Sequence, residues 1–121
     1  MTNLLVGTVA AFFLLMGVAA LIRPAMVLAV FGTEVRHRDT RNEVRAVYGG
    51  FGVAVAGLLF YALVDPVLRP GVVTAIAVSV LGMAAGRVWS TAIDHGAGFY
   101  PCLFFVVEIA IAAALLTALR T

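Results

Sequence analysis

Two opposite charges interrupt the long apolar stretches of this sequence. Arg87 lies near the end of the third stretch, and Glu108 lies near the start of the fourth. If these stretches are neighbouring antiparallel helices in a membrane, both charges lie roughly 10 Å below the same surface. An isolated charge there costs at least about 2.5–3.5 kcal/mol, and an arginine cannot lose its proton to avoid that cost. We therefore expect Arg87 and Glu108 to face each other inside the protein as an ion pair.

Further polar side chains lie at the start of the second stretch. Arg45 and Tyr48 are three residues apart and share one face of a helix, and Glu43 lies just before them. The second stretch enters the membrane from the surface nearest to Arg87 and Glu108. The spacing predicts one polar layer in one leaflet, which consists of Arg45, Tyr48, Arg87 and Glu108. Glu43 is a further candidate for this layer. Arg45 and Arg87 would face an anionic group, with Tyr48 donating a hydrogen bond.

Each member of this layer also has a simpler structural interpretation. Glu43 follows Thr40 by three residues, which is the spacing of a capping box at the start of a helix. Arg45 is long enough to extend to the lipid headgroups, and Tyr48 fits an interfacial aromatic residue. The ion pair of Arg87 with the glutamate could hold two helices in register without any ligand.

The remaining reactive side chains give no sign of a metal site, a cofactor or a disulfide. Cys102 is the only cysteine, and His37 and His95 have no partner at ligand spacing. The sequence has no nucleophile–base pair and no cofactor motif. All eight cationic residues are arginines that are scattered along the chain, so no basic run exists for nucleic acid. We expect neither metal nor cofactor.

The composition decides which elements position these residues. Hydrophobic residues make up 64% of the 121 residues and charged residues 12%, whereas soluble domains have about 45–50% and about 25%. The composition therefore indicates an integral membrane protein. Hydropathy predicts four spans, at about 4–22, 42–64, 71–93 and 101–119. The first stretch is long for a signal peptide, so we expect it to be a retained helix.

The connections decide how the spans are arranged. Between the first and second spans, Pro24 starts a short apolar helix and Gly32 ends it. We expect this helix to lie at the membrane interface, and packing under the bundle is the alternative. The second and third connections are short, so neighbouring spans are antiparallel. We expect a single-domain, all-α, four-helix up-and-down transmembrane bundle. The first connection is richest in arginine, which places it and the third connection in the cytoplasm and both termini outside.

Small residues form two stripes on the predicted spans. Gly82 and Gly86 are four residues apart on the third span, and Gly49, Gly52 and Ala56 follow one face of the second. Small residues let helix backbones approach closely in lipid. Packing within one bundle is the favoured interpretation, and a homodimer interface is the alternative.

One segment resembles a known family. Residues 42–50, NEVRAVYGG, resemble the segment that opens the second helix in the domain-of-unknown-function 4345 family of small bacterial membrane proteins. The resemblance continues in Gly86-Arg87 and in Glu108, and so covers nearly the whole chain. It implies a four-helix, multi-pass protein of the bacterial cytoplasmic (inner) membrane, and it brings no activity or catalytic residue. The architecture is also loosely similar to that of the DoxX-like four-helix membrane proteins.

Three functions are compatible with these residues. We favour a non-catalytic membrane protein whose polar layer binds a lipid, a small amphiphile or a partner membrane protein. A small proton-coupled homodimeric transporter is the first alternative, with Glu108 carrying the proton, although the first span has no charge. An intramembrane enzyme with Glu108 or Tyr48 as acid or base is the second.

Overall fold

The computed structural model describes the whole chain, residues 1–121, and it is α-helical without β-strands. The predicted all-α, four-helix class is confirmed. The elements are, in chain order, α1 (Thr2–Ile22), α2 (Pro24–Ala29), α3 (Arg38–Val44), a π-helical segment (Arg45–Gly50), α4 (Phe51–Val64), α5 (Arg69–Asp94) and α6 (Phe99–Arg120). Because α3, the π segment and α4 form one continuous helix, Arg38–Val64, we call them together the second long helix.

Four helices are long and apolar enough to cross a membrane: α1, the second long helix, α5 and α6. This makes the chain a multi-pass membrane protein. The short helix expected after the first span agrees with α2. Behind α2, Gly32 adopts a φ of +76°, and the Thr33 N–H donates to the Leu28 carbonyl at 3.2 Å. This hydrogen bond ends a helix at a left-handed glycine.

The long helices form two closely packed pairs. α1 packs mainly against the second long helix and α5 mainly against α6, while contacts of α1 with α6 and of α4 with α5 close the ring. Both chain termini and the α4–α5 connection lie at one end, where the Thr2 hydroxyl donates to the Ala118 carbonyl at 3.3 Å. α2 and the α5–α6 connection lie at the other end. We call the corresponding parts the terminal half and the α2 half.

The hydrophobic core fills the terminal half. Its 16 buried residues all lie in that half of the four long helices. On each helix, the core residue nearest to the α2 half is Phe13, Ala56, Val80 or Ile111. Leu59 and Leu115 are its largest fully buried side chains. In the α2 half, no apolar core is shared by all four long helices.

In the α2 half, α1 and the second long helix touch through glycines. A Cβ atom on Gly17 would lie 2.7 Å from the Val53 nitrogen, and one on Gly49 would lie 2.8 Å from the Leu21 side chain. A Cβ atom on Gly52 would lie 3.2 Å from the Cα of Gly17. The small residues of the second span therefore pack within the bundle and bring two backbones together.

The other small-residue stripe does not pack in this way. Cβ atoms on Gly82 and Gly86 would meet nothing within 4 Å. Because both residues lie on the outside of the bundle, the expectation that they pack within it is wrong.

Arginines cap the C-terminal ends of two helices. Arg69 donates from Nε to the Ala62 carbonyl (2.9 Å) and from Nη2 to the Leu63 carbonyl (2.8 Å) at the end of α4. Arg45 donates from Nε to the Leu21 carbonyl (3.0 Å) at the end of α1. Carbonyls at a helix C-terminus lack partners within the helix and carry partial negative charge. Each arginine therefore satisfies acceptors that would otherwise be left open.

The capping box expected from Thr40 and Glu43 is wrong. The helix begins at Arg38, and His37 precedes it without a side-chain cap hydrogen bond. Thr40 therefore lies inside the first turn, where its hydroxyl cannot cap the helix.

Candidate functional site

Arg87 and Glu108 meet between α5 and α6. The Arg87 Nε donates to Glu108 Oε1 at 2.8 Å. Glu108 is the only buried charged residue, with 8% of its side chain exposed, whereas 26% of the Arg87 side chain is exposed. Because α5 and α6 are antiparallel neighbours, the two charges reach the same level although 21 residues separate them. The structure therefore contains the ion pair that the sequence suggests.

An aromatic ring lies next to the Arg87 guanidinium. The centroid of the Phe104 ring lies 5.6 Å from Arg87 Cζ, which is within cation–π range. Phe104 precedes Glu108 by one helical turn on α6, so both residues act on the same guanidinium. The Phe104 ring also packs against Tyr100 and against Phe31, which follows α2. Arg87 is therefore held at its Nε atom and by contact with the Phe104 ring.

The terminal amino groups of Arg87 are free. The bond from Nε to Glu108 is the only hydrogen bond of the Arg87 side chain, and no buried polar side-chain atom in the protein lacks a partner. Nη1 and Nη2 are therefore accessible from outside the protein. The nearby Thr91 hydroxyl donates to the Arg87 carbonyl at 2.8 Å, so its proton is not available to a bound molecule.

Arg87 lines a cavity in the α2 half, which we call the α5–α6 cavity. Its volume is about 480 Å³, and six of its nine lining residues are hydrophobic. They include Val88 and Ala92 of α5 and Phe105 and Val106 of α6. A volume of this size falls within the range of about 300–1,000 Å³ that is typical of small-molecule sites. None of its lining residues is buried, so the cavity opens on the surface of the α5–α6 pair, beyond the level at which the shared core ends.

The other three candidates do not join the ion pair. Arg45 caps α1, and neither Tyr48 nor Glu43 forms a hydrogen bond or salt bridge with Arg87 or Glu108. Glu43 is exposed and Tyr48 is partly buried. The expected layer of five residues is therefore reduced to two in this structure.

The π segment explains why Arg45 points elsewhere. In an α-helix each residue turns the chain by about 100°, and a π turn contains one additional residue. The segment therefore rotates the side chains that precede it in the second long helix by about 100° around the helix axis, relative to those of α4. Without it, Arg45 would share the inward face of Gly52 and Ala56. With it, Val44 takes that face, at 3% exposure, and Arg45 turns toward the end of α1.

Phe104 and Phe31 are site residues that the sequence analysis did not select. Phe104 lies four residues before Glu108, and an aromatic residue one turn from a charge within a span is a usable signal. Phe31 gives no such signal, because its contact depends on how the chain folds back after α2.

Comparison with known proteins gives one match. Residues 1–119 match the family model described as Domain of unknown function (DUF4345). No curated protein and no solved structure matches the chain. The looser similarity to the DoxX-like proteins finds no support in these comparisons.

Proposed function

We propose that this chain, which belongs to the DUF4345 family, is a non-catalytic multi-pass membrane protein that binds a single-chain amphiphile. The apolar chain occupies the α5–α6 cavity, and the polar head lies at Arg87. One observation carries this proposal: a guanidinium with free terminal amino groups lines a mostly apolar cavity. The bacterial cytoplasmic membrane is part of the same proposal and rests on the resemblance of residues 42–50.

The cavity size favours an amphiphile over a partner helix. An α-helix with its side chains is about 10–12 Å wide, so two turns occupy on the order of 1,000 Å³. The α5–α6 cavity has about 480 Å³. A single acyl chain fits into such a space, whereas a helix could place only some of its side chains there.

Glu108 prepares Arg87 for a ligand. It balances the guanidinium charge, which lowers the cost of holding that charge within a span. Glu108 accepts from Nε at the side of the guanidinium, so its carboxylate does not occupy the edge formed by the two terminal amino groups. A ligand oxygen on those groups lies about 4 Å from the guanidinium centre and about 7 Å from the carboxylate, which leaves a net attraction of about 2 kcal/mol at an effective dielectric constant of about 20.

The residues around the cavity do not favour a reaction. Cys102 lines it, but no histidine and no carboxylate is among the lining residues. The nearest carboxylate, Glu108, is already bound to Arg87. A nucleophile without a base does not form a catalytic unit.

Native mass spectrometry of the protein in mild detergent tests the binding function. The probe is oleate, added after delipidation. We expect the double variant Arg87→Leu/Glu108→Leu to lose at least about tenfold in oleate affinity, equivalent to about 1.4 kcal/mol. The double change leaves no unpaired buried charge, so the variant is expected to fold.

Arg120→Leu is the matched control, because Arg120 is exposed at the opposite end of the bundle. It removes one arginine and should bind oleate as the wild type does. Unchanged oleate binding by the double variant would refute the proposal. If the double variant instead loses a co-purifying membrane protein and keeps oleate, partner docking replaces amphiphile binding.

A further inference from the structure

The surroundings of Arg87 restrict how a ligand reaches it. A guanidinium has five N–H donors in one plane. The Nε donor is bound to Glu108, and the Phe104 ring lies within cation–π distance of the group. The edge of the guanidinium that has no protein partner is the one formed by Nη1 and Nη2.

We infer that the head group of the amphiphile is an oxyanion with two oxygens, a carboxylate or a phosphate monoester, which binds end-on to Nη1 and Nη2 of Arg87. This inference rests on the proposed function. Two parallel N–H donors match two oxygens of one oxyanion, and such paired bonds are shorter and stronger than neutral ones. An alcohol offers one acceptor oxygen without a charge, and an amide offers one carbonyl oxygen.

The same geometry disfavours quaternary ammonium heads. Such cations bind to open aromatic faces, and here the Phe104 ring already lies against the Arg87 guanidinium. Arg87 would also repel a second cation. Phe104 is therefore assigned as a positioning residue: its cation–π contact, together with the hydrogen bond of Glu108 to Nε, holds the guanidinium in place.

A series of ligands with one chain and different heads tests this inference. We expect purified protein to bind oleate and oleyl phosphate at least about tenfold more tightly than oleamide or oleyl alcohol, equivalent to about 1.4 kcal/mol. Comparison of oleate with oleyl phosphate shows whether the site prefers a carboxylate or a phosphate head group. Equal affinity for all four ligands, lost in Arg87→Leu/Glu108→Leu, would overturn the oxyanion inference and leave the binding function intact. If the protein binds none of the four ligands, both the oxyanion inference and the proposed binding function are refuted.

Single variants of Arg87 and Phe104 test whether the paired donors of the guanidinium, and not its charge alone, select the head group. Arg87→Lys keeps the charge but loses the planar pair of donors, so we expect it to lose most of the preference for oleate over oleamide. An unchanged preference in Arg87→Lys would refute end-on binding. Phe104→Leu should reduce the same preference while leaving the oleyl alcohol affinity unchanged, and Phe104→Tyr should restore it. A uniform loss for all ligands in Phe104→Leu would show that Phe104 only shapes the cavity.

Discussion

The two halves of the bundle are held together in different ways. In the terminal half, all four helices meet around one apolar core. In the α2 half they associate as two pairs, the first through Gly17 and Gly49 and the second through Arg87 and Glu108. In this half a cavity lined by Arg87 lies on the surface of the α5–α6 pair, and none of its lining residues is buried. The comparison teaches that the candidate site exists where four-helix packing ends.

The largest expected effect concerns the ion pair of the α2 half. Glu108→Leu alone should destabilise the protein by about 3–5 kcal/mol, because it leaves the arginine unpaired within the span. Arg87→Leu/Glu108→Leu should recover most of that loss. Reversible SDS unfolding of the single and double variants in mixed micelles measures the coupling. Additive losses would mean that the two residues do not stabilise each other.

A comparison of core and cavity side chains gives the next effect. Leu115→Ala, in the terminal half, removes a fully buried side chain and should cost about 2 kcal/mol, mainly through lost dispersion contacts. Phe105→Ala only enlarges an existing cavity and should cost less than half as much. The same SDS unfolding measures both. A larger loss for Phe105→Ala would show that the α2 half is packed as tightly as the terminal half.

Much of the fold, and part of the site, can be predicted from the sequence. The spans follow from hydropathy because a membrane accepts only helices with satisfied backbones. The meeting of Arg87 and Glu108 follows from depth, since the short α5–α6 connection fixes the relative level of these two helices. The direction of the Arg45 side chain cannot be predicted from residue spacing. Spacing gives the face of a helix only while every turn has the same number of residues, and the π segment breaks that regularity. Gly49-Gly50 gives no sufficient sign of the π segment.

The cavity and the helix caps could not be predicted for a different reason. Arg69 and Arg45 both use their side chains on main-chain carbonyls of a preceding helix. Nothing in an arginine side chain distinguishes that role from headgroup contact. The cavity is lined only by α5, α6 and their connection, so it depends on how these two helices pack side by side rather than on any single residue.

The two glycine stripes should respond in opposite directions. Gly17→Ala places a Cβ atom against the backbone of the second long helix and should destabilise the protein by about 1–3 kcal/mol. Gly82→Ala enters open space and should stabilise α5 by about 0.5–1 kcal/mol, because alanine is the better helix former. Unfolding of each variant gives the sign. A clear destabilisation by Gly82→Ala would indicate that this face contacts a second protein.

The last comparison concerns the arginine caps, whose relative effects test whether the two ends of the bundle are also held in different ways. Arg69 donates two hydrogen bonds at the terminal end, and Arg45 donates one at the α2 end. Arg69→Met should therefore cost about 1–2 kcal/mol and Arg45→Met about 0.5–1 kcal/mol, with methionine keeping part of the apolar contact of the stem. Arg120→Met is the control, since Arg120 makes no hydrogen bond through its side chain. Because Arg45 binds α1 through the rotation that the π segment imposes, Arg45→Met should also speed backbone hydrogen exchange at the end of α1 but leave the end of α4 unchanged. Faster exchange at both ends would mean that the caps act through the whole bundle, and the two halves could no longer be treated as separately held.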